Sequence, residues 1–175
     1  LNYLGGNGKS KLIKKRANQY DTIRTMKNVA FESAKNPFFK NLINRHHLYN
    51  DPNRIKKIFD FAFENTFYEK DNPTNQTIRS GIRSLKDKKA NCVDYCILLS
   101  SFFINLGIPH NFKMVATDPK NPANYNHIFV TLADGTPLDC VIGQDQTGKE
   151  QYKKIRKNYF GIEVPYSKQY TLKII

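Results

Sequence analysis

The stretch Cys92 to Leu106 constrains the fold more than any other part of the chain. Val93, Cys96, Ile97, Leu99, Ser100, Phe103 and Ile104 put apolar or small groups around most of a helix. Such a helix must be covered on several sides by other elements. Asn91-Cys92-Val93-Asp94 opens the run, Gly107 ends it, and Pro109 follows two residues later, as helix ends commonly do.

Weaker signals organise the rest. Residues 1–18 are rich in Gly, Asn and Lys and read as a flexible basic arm. Gln19 to Ala34 reads as a short helix stopped by Asn36-Pro37. Asp51-Pro52 reads as a helix start, with Asp51 as N-cap and Pro52 at the first helical position. Ile55, Ile58, Phe59, Ala62 and Phe63 then follow helical spacing, and that helix is expected to reach about Tyr68. Thr74 to Ala90 is polar, with Ile78, Ile82 and Leu85 marking a turn of helix.

Strands follow the apolar helix. Phe112 to Thr117 is expected as one, Asn126 to Leu132 as the next, and Pro137 to Ile142 as its hairpin partner, with a last strand over Tyr170 to Ile175. Helices first and an antiparallel sheet after them make an α+β arrangement. At 175 residues, 39% of them hydrophobic, one domain with a substantial core is expected.

Three residues in this frame carry chemistry. Cys92 starts a helix, where unpaired N–H groups and the helix dipole stabilise a thiolate and lower the pKa below the free value of about 8.5. Its backbone N–H is also placed to hold an oxyanion. The plain alternative is a cysteine packed as a small apolar group; Cys96 and Cys140, in apolar surroundings, are expected to do that. His127 opens a sheet strand, whereas His46, His47 and His110 read as loop or surface residues. A hydrogen-bonded core histidine is the alternative for His127. Asp139 is an acid inside the apolar strand Pro-Leu-Asp-Cys-Val, and a buried acid calls for a partner.

Hairpin register tests whether His127 is that partner. A two-residue Asp134-Gly135 turn sends His127 and Asp139 to opposite faces. A three-residue loop, Ala133-Asp134-Gly135 with Gly135 left-handed, pairs Phe129 with Asp139 and puts both side chains on one face. The three-residue loop is the expectation.

Taken together, Arg79-Ser80, Leu85, Asn91-Cys92-Val93-Asp94, Leu106-Gly107-Ile108-Pro109, Phe112 to Ala116, Asn126-His127-Ile128-Phe129-Val130 and Leu138-Asp139 resemble the transglutaminase-like superfamily of papain-type cysteine enzymes, most of all its small bacterial and phage members. The resemblance covers roughly residues 76–143. It implies a papain/transglutaminase-like core with a buried nucleophile helix packed on an antiparallel sheet. It also implies Cys92 as nucleophile, His127 as general base and then acid, and Asp139 as orienter. The organisation expected is a basic N-terminal arm with a short helix over residues 1–40 and a transglutaminase-like domain over 41–175. The chain departs from the family pattern in having no Trp, with Ile128 directly after the histidine. Gln76 is the nearest upstream glutamine for an oxyanion hole, and Asp94 is expected to be solvated, the alternative being that it helps order the helix N-terminus.

The function implied is thiol-dependent acyl transfer or hydrolysis on the amide bonds of a peptide or protein. No metal or organic cofactor is implied. There is no CxxC for zinc, and no acidic cluster like those that hold calcium in the transglutaminases requiring it. The alternative is a structural or binding protein, for example a virion component, that keeps the fold and works through its basic ends. The net charge of +13 divides as +7 over residues 1–40, +2 over 41–143 and +4 over 144–175. Basic ends suit an anionic partner such as nucleic acid, an acidic protein or a cell envelope, the plain alternative being that they serve solubility alone; a plain nucleic-acid-binding module has only this charge in its favour. Three cysteines suit a reducing compartment or a free reactive thiol. With no signal-peptide h-region or membrane span read, a cytoplasmic or virion-associated location is expected.

Overall fold

The computed structural model describes residues 10–12, 18–70, 77–141 and 166–175. Helices α1 (Gln19–Ala34), α2 (Pro37–Arg45) and α3 (Arg54–Asn65) come first. Helices α4 (Gly81–Asp87) and α5 (Cys92–Leu106) follow. Short strands β1 (Ser10–Leu12), β2 (Phe67–Tyr68), β3 (Thr77–Arg79) and β4 (Lys89–Ala90) lie among them. The main sheet is built from β5 (His110–Ala116), β6 (His127–Leu132), β7 (Pro137–Leu138) and β8 (Lys168–Lys173). Its order is β7-β6-β5-β8, antiparallel throughout. The architecture is mixed α+β.

Helix α5 is the centre. Every residue from Asp94 to Phe103 is buried. The sheet covers it with Phe112, Met114, Ile128, Val130 and Leu138, and α1 to α4 cover it with Met26, Phe39, Phe59 and Ile82, all in the same core cluster. Burying one such large side chain contributes about 1.5–3 kcal/mol. At its end Gly107 takes φ +64, and its N–H and that of Ile108 satisfy the last-turn carbonyls of Ile104 and Phe103.

Asparagine sets the starts of α1 and α2. Asn18 Oδ1 accepts from Asp21 N at 2.8 Å, and Asn36 Oδ1 accepts from Phe38 N at 3.0 Å with Pro37 at the first helical position. The expected helix at Gln19 to Ala34 is present. It belongs to the core rather than to an arm, because Ile23, Met26 and Ala30 are fully buried. A boundary between residues 40 and 41 falls inside α2, whose Phe39 and Ile43 are also fully buried. Within the expected arm, Ser10–Leu12 pairs antiparallel with Thr77–Arg79, and the rest of residues 1–17 lie outside the described residues.

Several boundaries moved. Asp51 Oδ1 accepts from Asn53 N at 2.7 Å, so a turn precedes α3 and the helix starts at Arg54 instead of Pro52. It stops at Asn65 because Thr66 is extended and Phe67–Tyr68 pairs in parallel with Lys89–Ala90. Ile78 lies on β3, while Ile82 and Leu85 are on α4. Strand β7 ends at Leu138, short of the expected Ile142, where Asp139 Oδ1 accepts from Val141 N at 2.9 Å and bends the chain; Ile142 itself lies outside the described residues. The last strand begins at Lys168.

A close contact locks α4 onto α1 and α5. Gly81 N donates to Ser33 Oγ at 3.0 Å, and Ser101 Oγ lies 2.8 Å from both Ser33 Oγ and Ile97 O. A Cβ on Gly81 would stand 2.9 Å from the Phe39 ring, 3.1 Å from Ser101 Oγ and 3.2 Å from Ser33 Oγ. Gly81→Ala is expected to lower unfolding stability by about 1–3 kcal/mol, read as a reduced urea midpoint with unchanged slope.

Candidate active site

Cys92 is the first residue of α5. Asn91 caps the helix: its Oδ1 accepts from Asp94 N at 2.9 Å, while Asp94 Oδ2 accepts from Asn91 N at 3.2 Å. This reciprocal capping box takes the N–H groups of Asn91 and Asp94 and leaves that of Cys92 outside the cap. The Cys92 side chain is half-buried, whereas Cys96 and Cys140 are buried in the core as expected. Burial pushes the thiols of Cys96 and Cys140 well above the usual cysteine range.

The hairpin takes the three-residue form. Val130 faces Leu138 and Thr131 faces Pro137, and the same register carried one residue on sets Phe129 opposite Asp139. Gly135 has φ +88; its N–H donates to Leu132 O at 3.0 Å, and Leu132 N donates to Thr136 O at 2.9 Å. His127 and Asp139 therefore lie on one face, and His127 Nε2 is 2.6 Å from Asp139 Oδ2. Asp139 is 2% exposed and His127 14%, so solvent screens the pair little. The other carboxylate oxygen is held by Val141 N, which fixes the carboxylate plane.

With Nε2 engaged by Asp139, Nδ1 is the nitrogen left for the thiol. Burial opposes charge on His127, but the Asp139 carboxylate and hydrogen bonding to the Cys92 side chain outweigh it and raise the imidazole to about 10. The structure thus brings the three expected residues together: Cys92 interacts with His127, and His127 with Asp139. Cys92 and His127 share a cleft of about 130 Å³ with an apolar floor of Met26, Met114 and Ile128. Asn126 Oδ1 pins the strand beside it, accepting from Thr117 N at 2.8 Å. A larger cavity of about 290 Å³ lies between α2, α3 and α5 and contains none of the three.

Several residues sit where the sequence did not place them. His110 is 1% exposed, not at the surface. Its Nδ1–H donates to Ile108 O at 2.8 Å, so Nε2 accepts from the Ser100 hydroxyl at 2.7 Å, and burial lowers its pKa to about 4. Asp94, expected in solvent, is fully buried and accepts from Arg79 N and Arg79 Nη1, each at 2.8 Å. Burial pushes its carboxyl up to about 6 against the pull of the Arg79 and Asn91 donors. Gln76 lies outside the described residues, and the glutamine at the cleft is Gln19, the first residue of α1. Its Nε2 donates to Tyr125 O at 2.7 Å, which ties α1 to the loop before His127. No short-range pattern links Gln19 to Cys92; only its place at a helix start is visible in sequence.

No protein-family model, no curated protein and no solved structure matches this chain. Among the described residues no helix is long and apolar enough to cross a membrane.

A raised folded-state pKa means that the His127 contribution to stability is fully present below the unfolded value of about 6.5 and is lost as pH rises through about 10. The melting temperature of Asp139→Asn is therefore expected to fall furthest below that of the unaltered chain at pH 6.5 and lower, with the gap closing towards pH 10. A gap constant across this range would mean that His127 carries no such shift.

Proposed function

We propose that the chain is a thiol-dependent acyl-transfer or hydrolytic enzyme acting on amide or peptide bonds, with a papain- or transglutaminase-like core. The observation carrying this reading is that one imidazole, His127, is held between the Cys92 thiol and the Asp139 carboxylate. A thiol, a base and an orienting acid in that order are what covalent acyl transfer requires.

In the proposed reaction His127 Nδ1 already holds the proton given up by the Cys92 thiol, and the Sγ thiolate forms a bond to the carbonyl carbon of the substrate amide. The carbonyl electron pair moves to oxygen, where the Cys92 N–H stabilises it. The pair then returns, the C–N bond breaks, and His127 gives its proton to the departing amine. Water, or a second amine, then attacks the thioester carbonyl as the now neutral His127 takes its proton; the C–S bond breaks and Cys92 leaves as the thiolate beside the recharged imidazolium. Water makes the protein a protease, amidase or deamidase; a lysine amine makes it a cross-linking enzyme. Asp139 keeps the imidazole oriented and stabilises its charged form. The Gln19 carboxamide is close enough to the cleft to be the second oxyanion donor. Apart from Cys92 and His127 themselves, the cleft is lined by Gln19, Thr22, Met26, Val93, Met114, Tyr125, Asn126 and Ile128, with no carboxylate, Lys or Arg among them, which suits a neutral carboxamide or peptide as the reacting group.

The pH dependence of Cys92 alkylation by iodoacetamide tests the pair. Cys92 is expected to react well below pH 8, and His127→Ala to shift the reaction to the range of a free thiol, about 8.5. Identical profiles for the two chains would make the core a scaffold and turn attention to the basic ends. In an amidase or peptidase assay, Cys92→Ala is expected to abolish turnover. Gln19→Ala is expected to lower kcat by about 100- to 1000-fold, the range for loss of one oxyanion donor.

A further inference from the structure

We propose that the Arg79–Asp94 ion pair is a positioning unit for the Cys92 thiol: it holds the first turn of α5 and cancels the negative charge buried beside the nucleophile. This rests on the reading of Cys92 as the nucleophile.

Asp94 is two residues from Cys92 in the same helical turn and fully buried. A capping box needs neither burial nor a charge partner; an exposed Glu or Gln serves. Here the acid is buried and carries, beyond the cap, two further bonds from one residue of another element: Arg79 N on Oδ1 and Arg79 Nη1 on Oδ2. Removing an ionised carboxylate from water is costly unless a partner is close, and a negative charge near a thiol disfavours the thiolate. Arg79 meets both demands. Its other acidic neighbours, Glu69 at 3.7 Å and Asp87 at 3.8 Å, have cations of their own: Lys89 is 2.7 Å from Glu69 and Arg83 is 2.7 Å from Asp87. The Arg79 side chain is 18% exposed, so its field at the helix start is only partly screened.

The other titratable groups around the thiol are few among the described residues. β6 brings His127, with Asp139 behind it. The loop before β6 brings Tyr125, and α5 itself brings Cys96. From α1 and β5 the cleft receives Gln19, Thr22, Met26 and Met114, none of which titrates. The Arg79–Asp94 pair is thus the charged unit of the first turn of α5, as the His127–Asp139 pair is of the sheet.

The test reads the pH midpoint of Cys92 alkylation, located by mass spectrometry of the Cys92 peptide, in full-length variants with circular dichroism and melting temperature recorded alongside. Arg79→Met leaves the buried acid without its cation; burial already holds that carboxyl at about 6 beside the guanidinium, so without it the acid is partly protonated over the range read and the midpoint is expected to move up by less than about one pH unit. Asp94→Asn leaves Arg79 uncompensated and is expected to move it down. The double variant returns close to the original midpoint, and Arg79→Lys keeps it. Shifts of the two single variants in the same direction, or no shift in either, overturn the proposal, because a purely structural role changes melting temperature without opposite-signed profiles. Should Arg79→Met not fold, Asp94→Asn decides: a midpoint at or above the original overturns the proposal. His127→Ala, measured in parallel, separates the two readings. If it leaves the profile unchanged, the nucleophile assignment fails; if it shifts the profile while the Arg79 and Asp94 variants lack opposite signs, only the positioning role fails.

Discussion

Burial of α5 is the constraint on which the rest of the molecule depends. Ten successive buried residues, Asp94 to Phe103, leave no face for solvent. The sheet can cover only one side, so α1, α2, α3 and α4 must close the others. This is why a basic chain with a long polar beginning forms a single core cluster over its described residues. The ends of the same helix then acquire special roles. Its C-terminal end is closed by Gly107 in the left-handed region, and its N-terminal end opens on the cleft that holds His127.

Polar groups inside such a core persist only when paired, and each pair here joins distant elements. Ser100 and His110 fasten the helix to the first residue of β5. Ser33, Ser101 and the Gly81 N–H join three helices at a point too tight for a side chain on Gly81. Asp94 and Arg79 tie the helix start to β3. An unpaired member of any of these would cost about 1–3 kcal/mol, which makes them specifiers of the packing as much as contributors to stability.

The candidate site grows from the same economy of burial. An acid in an apolar strand has to find a partner, and the three-residue hairpin turns the only strand-borne histidine of β6 onto its face. The resulting pair is screened little by solvent, so the imidazole holds its proton strongly, and the thiol that opens α5 meets the remaining nitrogen. Rigid elements carry all three groups: a capped helix, a central strand, and the end of an edge strand fixed by the Val141 N–H.

Much of this is decided by local chemistry. The span of α5, its glycine stop, the span of α1, the Asp-Gly hairpin and the shared face of His127 and Asp139 all follow from periodicity, capping and turn preferences acting within a few residues. The remainder comes from partners far apart in the chain. Arg79 reaches Asp94 across fifteen residues, Gln19 reaches Tyr125 across 106, and Phe67–Tyr68 leaves a helical pattern to pair with Lys89–Ala90. His110 and Asp94 look like solvent-facing residues until packing buries them, because burial of a polar group depends on whether a distant donor or acceptor arrives to satisfy it. Local pattern therefore determined the elements and placed Cys92, His127 and Asp139 upon them; tertiary structure alone decided which charges were buried together, since desolvation and pairing exist only once the core has closed.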